Sequence, residues 1–149
     1  MAVNAPDIPK AARTCPADPE PGKPLAIAKV VFPDTNGLSI QAELALTPHD
    51  IEKGLMFRRH MNEDAGMLFH LEERRDHTFW MQNTCISLDM LFIEEDGTIV
   101  GVVEGAEPVT QTSRSVGCSS RYVLEMNGGW CRSHGVKPGQ RVTLPAAAR

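Results

Sequence analysis

No stretch of this sequence approaches the ~18 consecutive apolar residues that a membrane-spanning helix needs, so a helical span is not expected. An excess of positive charge is missing too. Fifteen Lys and Arg stand against 19 Asp and Glu, a net charge of −4, whereas a nucleic-acid partner ordinarily demands a basic face. The arginines that do cluster, Arg58 with Arg59 and Arg74 with Arg75, sit near Glu63 and Asp64 or beside Glu72, Glu73 and Asp76, which fits solvated turns. The chain carries no G-x-S-x-G elbow, Walker loop or dinucleotide fingerprint, so the chemistries those motifs serve have no foothold in it. None of its cysteines forms a C-x-x-C pair, which speaks against zinc. No metal or other cofactor is expected.

What is present is enough for one domain. The chain has 149 residues, 42% of them hydrophobic, and can bury a core without covalent staples. Residues 1–24 read as a flexible linker, because Pro6, Pro9, Pro16, Pro19, Pro21 and Pro24 break every helix. The stretch Met1 to Lys10 lacks the basic start and apolar run of a secretory signal. A mature exported protein whose signal has been removed would start this way, and so would a cytosolic protein with a flexible N-terminus. Cys15, Cys85, Cys118 and Cys131 form an even set, which suits one or two disulfides in an oxidising compartment. Each alone could serve as a small buried hydrophobe, but Cys15 lies in the linker with no core to enter. All three complete pairings stay open. Cys118 and Cys131 are nearest in sequence, yet a strand over Arg121–Met126 would hold them ~15–20 Å apart.

Residues 25–145 alternate in the manner of a β-rich domain. From Leu38 to Leu46 apolar and polar residues exchange places at period two, the mark of a half-buried strand. Leu25–Phe32 is also β-prone, and Asp34-Thr35-Asn36-Gly37 turns the chain between the two. Thr47 then suits a helix cap and Pro48 a first helical position, predicting a short helix to about Met56 with Ile51, Leu55 and Met56 inward. Further strands are expected over 66–71, 78–83, 88–93, 98–103, 121–126 and 141–144. Glu95-Asp96-Gly97 forms the clearest hairpin turn, and a second short helix ends near Gly135. Gly105 to Ser120 is a loop long enough to be functional or mobile. The class is mainly β (α+β), a small rolled sheet or barrel-like domain with two short helices. A parallel α/β fold is disfavoured because the helices are too few and short for crossovers.

Polar residues among apolar neighbours mark the candidate site. Arg58 follows Leu55-Met56-Phe57, Asn83 and Thr84 follow Phe79-Trp80-Met81, Asp89 interrupts Leu88–Ile93, and Glu125 lies within Tyr122–Met126. A buried carboxylate needs a partner, so Arg58 is expected to pair with Asp89 or Glu125. The functional version is a ligand pocket with Arg58 as anion anchor, Asp89 and Glu125 as carboxylates, Asn83 as a donor and Trp80 or Tyr122 as an apolar wall. The structural version has the same arginine pair fixing the helix to the sheet. Hydrolysis by the Asp89 and Glu125 pair is a rival, dependent on their separation. Cys85 as nucleophile would have only His77 at short range. Copper through Met56, Met61, Met67, Met81 and Met90 with His60, His70 and His77 competes with the plainer reading of methionines as core filler and histidines on the wet side.

Gly54-Leu55-Met56-Phe57-Arg58, Gly66-Met67-Leu68-Phe69, and Phe79-Trp80-Met81-Gln82-Asn83-Thr84 running into Leu88-Asp89 together resemble domain of unknown function 192. Tyr122-Val123-Leu124-Glu125 and Gly135-Val136-Lys137-Pro138-Gly139 are similar to that family's C-terminal half. The likeness spans about residues 27–145. It implies a small β-rich fold, no established activity, substrate or cofactor, and an extracytoplasmic location, since members often carry export signals. Cys85 and Ser87 depart from the family pattern, standing where an aliphatic residue and a proline are common, and Cys118 and Cys131 are also particular to this chain. The expectation is thus an exported monomer that binds a small polar ligand or a protein surface through the region of Arg58, Asn83 and Asp89, with a purely structural accessory domain as the remaining alternative.

Overall fold

The computed structural model describes residues 15–149; the first part of the expected linker, residues 1–14, lies outside the described residues. Six strands form one mixed sheet in the order β1-β2-β3-β6-β4-β5. They are β1 Ile27–Phe32, β2 Leu38–Ala45, β3 Ala65–Arg75, β4 Leu88–Ile93, β5 Ile99–Ala106 and β6 Ser120–Asn127. Every neighbouring pair is antiparallel except β2 with β3, which run parallel. The connection between those two contains α1, Pro48–Lys53, so the chain makes one crossover after all. The second helix is α2, Trp130–His134. The sheet curls without closing into a barrel. Isolated pairs Val31 with Thr143 and Thr98 with Arg141 let the C-terminal segment reach both β1 and the turn before β5.

Period two along the strands divides the core between the sheet's faces. Val30, Ile40, Leu68, Leu91, Ile93, Leu124 and Met126 bury one face under α2 and the C-terminal segment. Met67, Phe69, Met90, Phe92 and Val123 bury the other, beneath Leu55, Met81 and the loops beside them. Two expected strands are absent as ladders. Residues 78–83 form a loop with a single bridge, Phe79 with Arg114, and residues 141–144 make only isolated bridges. Apolar residues made both stretches look like strands, but their burial comes from folding over the sheet. Residues 15–24 contain no helix or strand; Cys15 is bonded to Cys85, and Lys53 lies 2.8 Å from Asp18.

Candidate functional site

A cleft of about 540 Å³ opens between α1, the second half of β3 and the loop 77–84. Local sequence builds each wall. The Thr47 hydroxyl accepts from the Asp50 N–H at 3.2 Å and starts α1, with Pro48 where no N–H is needed. The helix stops at Gly54, where φ is 48° and a Cβ would stand 3.2 Å from the Phe69 ring, so a bare backbone lets the helix end lie on that ring. Leu55 then drops into the core, only 2% exposed. The facing wall is held by the loop 107–119 between β5 and β6. Met81 N–H donates to the Thr110 carbonyl at 3.0 Å, and Val109 N–H to the Thr84 carbonyl at 2.9 Å. Met81 is thereby fully buried and its neighbour Trp80 stands on the rim, half exposed. The Phe79 ring packs edge-on against Phe69 and Phe92, at centroid distances of 5.5 and 5.9 Å.

Glu125 projects from β6 at this cleft, paired in register with Met67 on β3 and Met90 on β4. It is 5% exposed. No hydrogen bond or ion pair reaches its carboxyl among the described residues. Burial without compensation raises its pKa from the ordinary 4.5 to about 8, so at neutral pH the group is chiefly the neutral acid. A carboxylic acid in that state donates one hydrogen bond and accepts others. His77 also lines the cleft, buried rather than on the wet side as expected, and its Nε2 lies 2.6 Å from the Glu73 carbonyl. A carbonyl only accepts, so Nε2 carries a proton in this contact.

The five residues singled out in the sequence do not converge. Trp80 and Glu125 share the cleft. Arg58 pairs with neither expected carboxylate; its guanidinium grips Glu43 through two contacts, Nη1 to Oε2 and Nη2 to Oε1, the latter at 2.8 Å. Glu43 sits on β2, two strands from Glu125 with β3 between them, and is partly solvated, so the pair forms with far less desolvation than the expected one. Asn83 occupies a left-handed turn, φ 53°, and its carbonyl accepts from Phe57 N–H at 2.8 Å. That is a backbone duty suited to Asn, and the residue lines a different pocket, beside Lys53 and Phe57, that does not include Glu125.

Asp89 lies on the opposite face of the sheet from Glu125. Its register partner on β6 is Met126, whereas Glu125 is opposite Met90, and successive residues of a strand point to opposite faces. The fully buried Asp89 carboxylate is consumed by backbone: Oδ1 accepts from Gly105 N–H at 2.8 Å and Gly129 N–H at 3.0 Å, and Oδ2 from Cys131 N–H at 2.9 Å. It thus fills the bulge where β5 spends two residues, Glu104 and Gly105, against one on β4, and it caps α2. The carboxylate pair proposed for hydrolysis is therefore not assembled. Tyr122, the alternative wall, stacks on His70 at 4.7 Å and belongs to the other core. Burial and the nearby Asp89 charge push the Cys131 thiol far above its ordinary range, and among the described residues no three His, Cys, Asp or Glu side chains gather as metal ligands.

Sequence reasoning did not bring His77, Phe79 and the α1 wall together with Glu125. These come together only through the β2–β3 crossover and the fold-back of a loop, and neither leaves a periodic signal. The fold and site together define a small mixed-sheet domain with a buried acid, unpaired among the described residues, in an open cleft. The chain belongs to the DUF192 family, described as "Uncharacterized ACR", whose profile matches residues 30–144. It is similar to the crystal structure of a protein from Sinorhizobium meliloti 1021 provisionally described as a transcription regulator, with 39% identity and a TM-score of 0.77 over 83% of this chain and 97% of that one. It is also similar to a Novosphingobium aromaticivorans DSM 12444 protein of unknown function, with 34% identity and a TM-score of 0.78 over 90% of this chain and 96% of that one. Among curated proteins none matches the chain.

Proposed function

We propose that this chain is a monomeric extracytoplasmic binding domain that holds a small organic molecule in the cleft, with Glu125 as the polar contact and Trp80 as a movable wall. One observation carries the reading: a largely buried carboxyl, with no hydrogen-bond partner among the described residues, opens on a cleft lined by Phe69, Phe79 and Leu55. Buried polar groups are normally satisfied, and an apolar pocket with one convergent polar group is the usual form of a small-molecule site. Arg58, Asn83 and Asp89 do not line this cleft and are not part of the proposed site. The Cys15–Cys85 disulfide favours an oxidising compartment. A nucleic-acid role, which the description of the Sinorhizobium relative raises, draws no support from a net charge of −4 or from arginines paired with Glu43, Glu94 and Glu104.

Trp80 makes the test direct, because the only other tryptophan, Trp130, is buried on the other face beside Phe32 and His134. A fragment screen read by nitrogen-15 NMR should give hits that move the Trp80 indole N–H and α1 amides while leaving Trp130 still. Hits scattered over the surface, or none at all, would leave the accessory-domain reading in possession. A sedimentation measurement showing a dimer would separately remove the monomer.

A further inference from the structure

Resting on the reading of the cleft as a binding site, we infer that its ligand is an organic cation, an ammonium group carried on an apolar or aromatic body. The polar floor is one carboxyl set between two methionines, Met67 and Met90. Phe69, Phe79 and Trp80 line the same cleft, and aromatic faces attract cations. A carboxyl with aromatic walls is complementary to an ammonium and hostile to an anion.

The charges facing the cleft point the same way. From α1 come Glu52 and Lys53, from β3 Glu72, Glu73 and Arg75, and from the following loop His77; β4 and β6 contribute Glu125 alone, since Asp89 faces the other side. Lys53 is committed, 2.8 Å from Asp18 and donating to the Glu20 carbonyl at 2.6 Å. Arg75 lies 3.8 Å from Glu73. Glu52 and Glu72 have no ion-pair partner among the described residues. The net field at the entrance is therefore negative, which draws cations and repels carboxylates and phosphates.

Binding exchanges one positive charge for another. The Glu125 O–H bond breaks, its proton leaves to solvent, and the bound ammonium, keeping its own substituents, neutralises the carboxylate that remains. No oxidant, reductant or further reactant is involved. A proton must be released for each cation bound below the pKa of the free acid.

Benzyltrimethylammonium, whose charge is independent of pH, is the probe, with benzyl alcohol and phenylacetate as neutral and anionic counterparts, each titrated against Trp80 fluorescence from pH 6 to 9. Affinity for the cation should rise up to about tenfold per pH unit, levelling above about 8, and should exceed that for both counterparts. Glu125→Gln should abolish the pH dependence. Tighter binding of the alcohol or phenylacetate at Trp80 would overturn the cation inference while leaving the cleft as a site. Silence of Trp80 toward all three would also overturn it, and the fragment screen then judges the cleft independently.

Discussion

An ionised Glu125 would sit in a core of thioethers and rings, so the fold holds it as the acid, and that has a consequence for stability. In the unfolded chain the group titrates near 4.5, and in the folded protein near 8. Between those values the native state binds a proton that the unfolded state does not, so stability falls as pH rises, by about 1.4 kcal/mol per unit at most. Denaturant melts from pH 4.5 to 9 should show this loss, and Glu125→Gln should remove it. His70, with its pKa lowered by burial and by Arg121, contributes an opposite slope, which subtracting the variant from the parent cancels. The same residue-by-residue view reassigns two sequence candidates. Asp89→Asn puts an NH2 group or a lost acceptor where three backbone N–H groups converge, and should cost roughly 2–4 kcal/mol in chemical denaturation. Arg58→Met breaks only the partly solvated pair with Glu43 and should cost about 1 kcal/mol or less; a loss above about 3 kcal/mol would mean a buried partner.

At the scale of elements, the strands with strict alternation and the helix with a cap signal were legible. Leu88–Ile93 forms over the expected residues, and Thr47 caps α1 as its position predicts. Legibility failed where apolar residues bury themselves without a ladder, as in 78–83, and where contacts depend on a crossover. The run Trp80-Met81-Gln82-Asn83-Thr84 with Leu88-Asp89 carries the family resemblance, and several of its residues are tied into the fold. Met81 is core, Asn83 turns the backbone, Thr84 is buried with its hydroxyl donating to the Gln82 carbonyl at 3.2 Å, and Asp89 secures the bulge and α2. Cys15 and Cys85 clasp the segment before β1 onto the end of this loop, 70 residues away in sequence. Titration of the denatured, unreduced protein should find two thiols, from Cys118 and Cys131. Reduction should then lower stability by about 4 kcal/mol in the chain-entropy account. Four titratable thiols in protein purified without reductant would deny the bond.

For the whole molecule, two cores on the two faces of one curled sheet divide the labour. The face under α2 is closed and supports the fold, with Asp89 sealed inside it. The other face is left open beside α1, and Glu125 stands there with no partner among the described residues. Composition pointed to a folded, non-basic chain, but it could not assign the two carboxylates to opposite faces, because that depends on the register of β4 against β6. The claim that Glu125 is an uncompensated acid in a binding cleft is tested most directly by its own titration, followed through the side-chain carboxyl carbon-13 resonance and assigned with Glu125→Gln. The account predicts a midpoint near 8 in the free protein, displaced downward by a bound ammonium. A midpoint in the usual carboxylate range, unmoved by the cation, would contradict it.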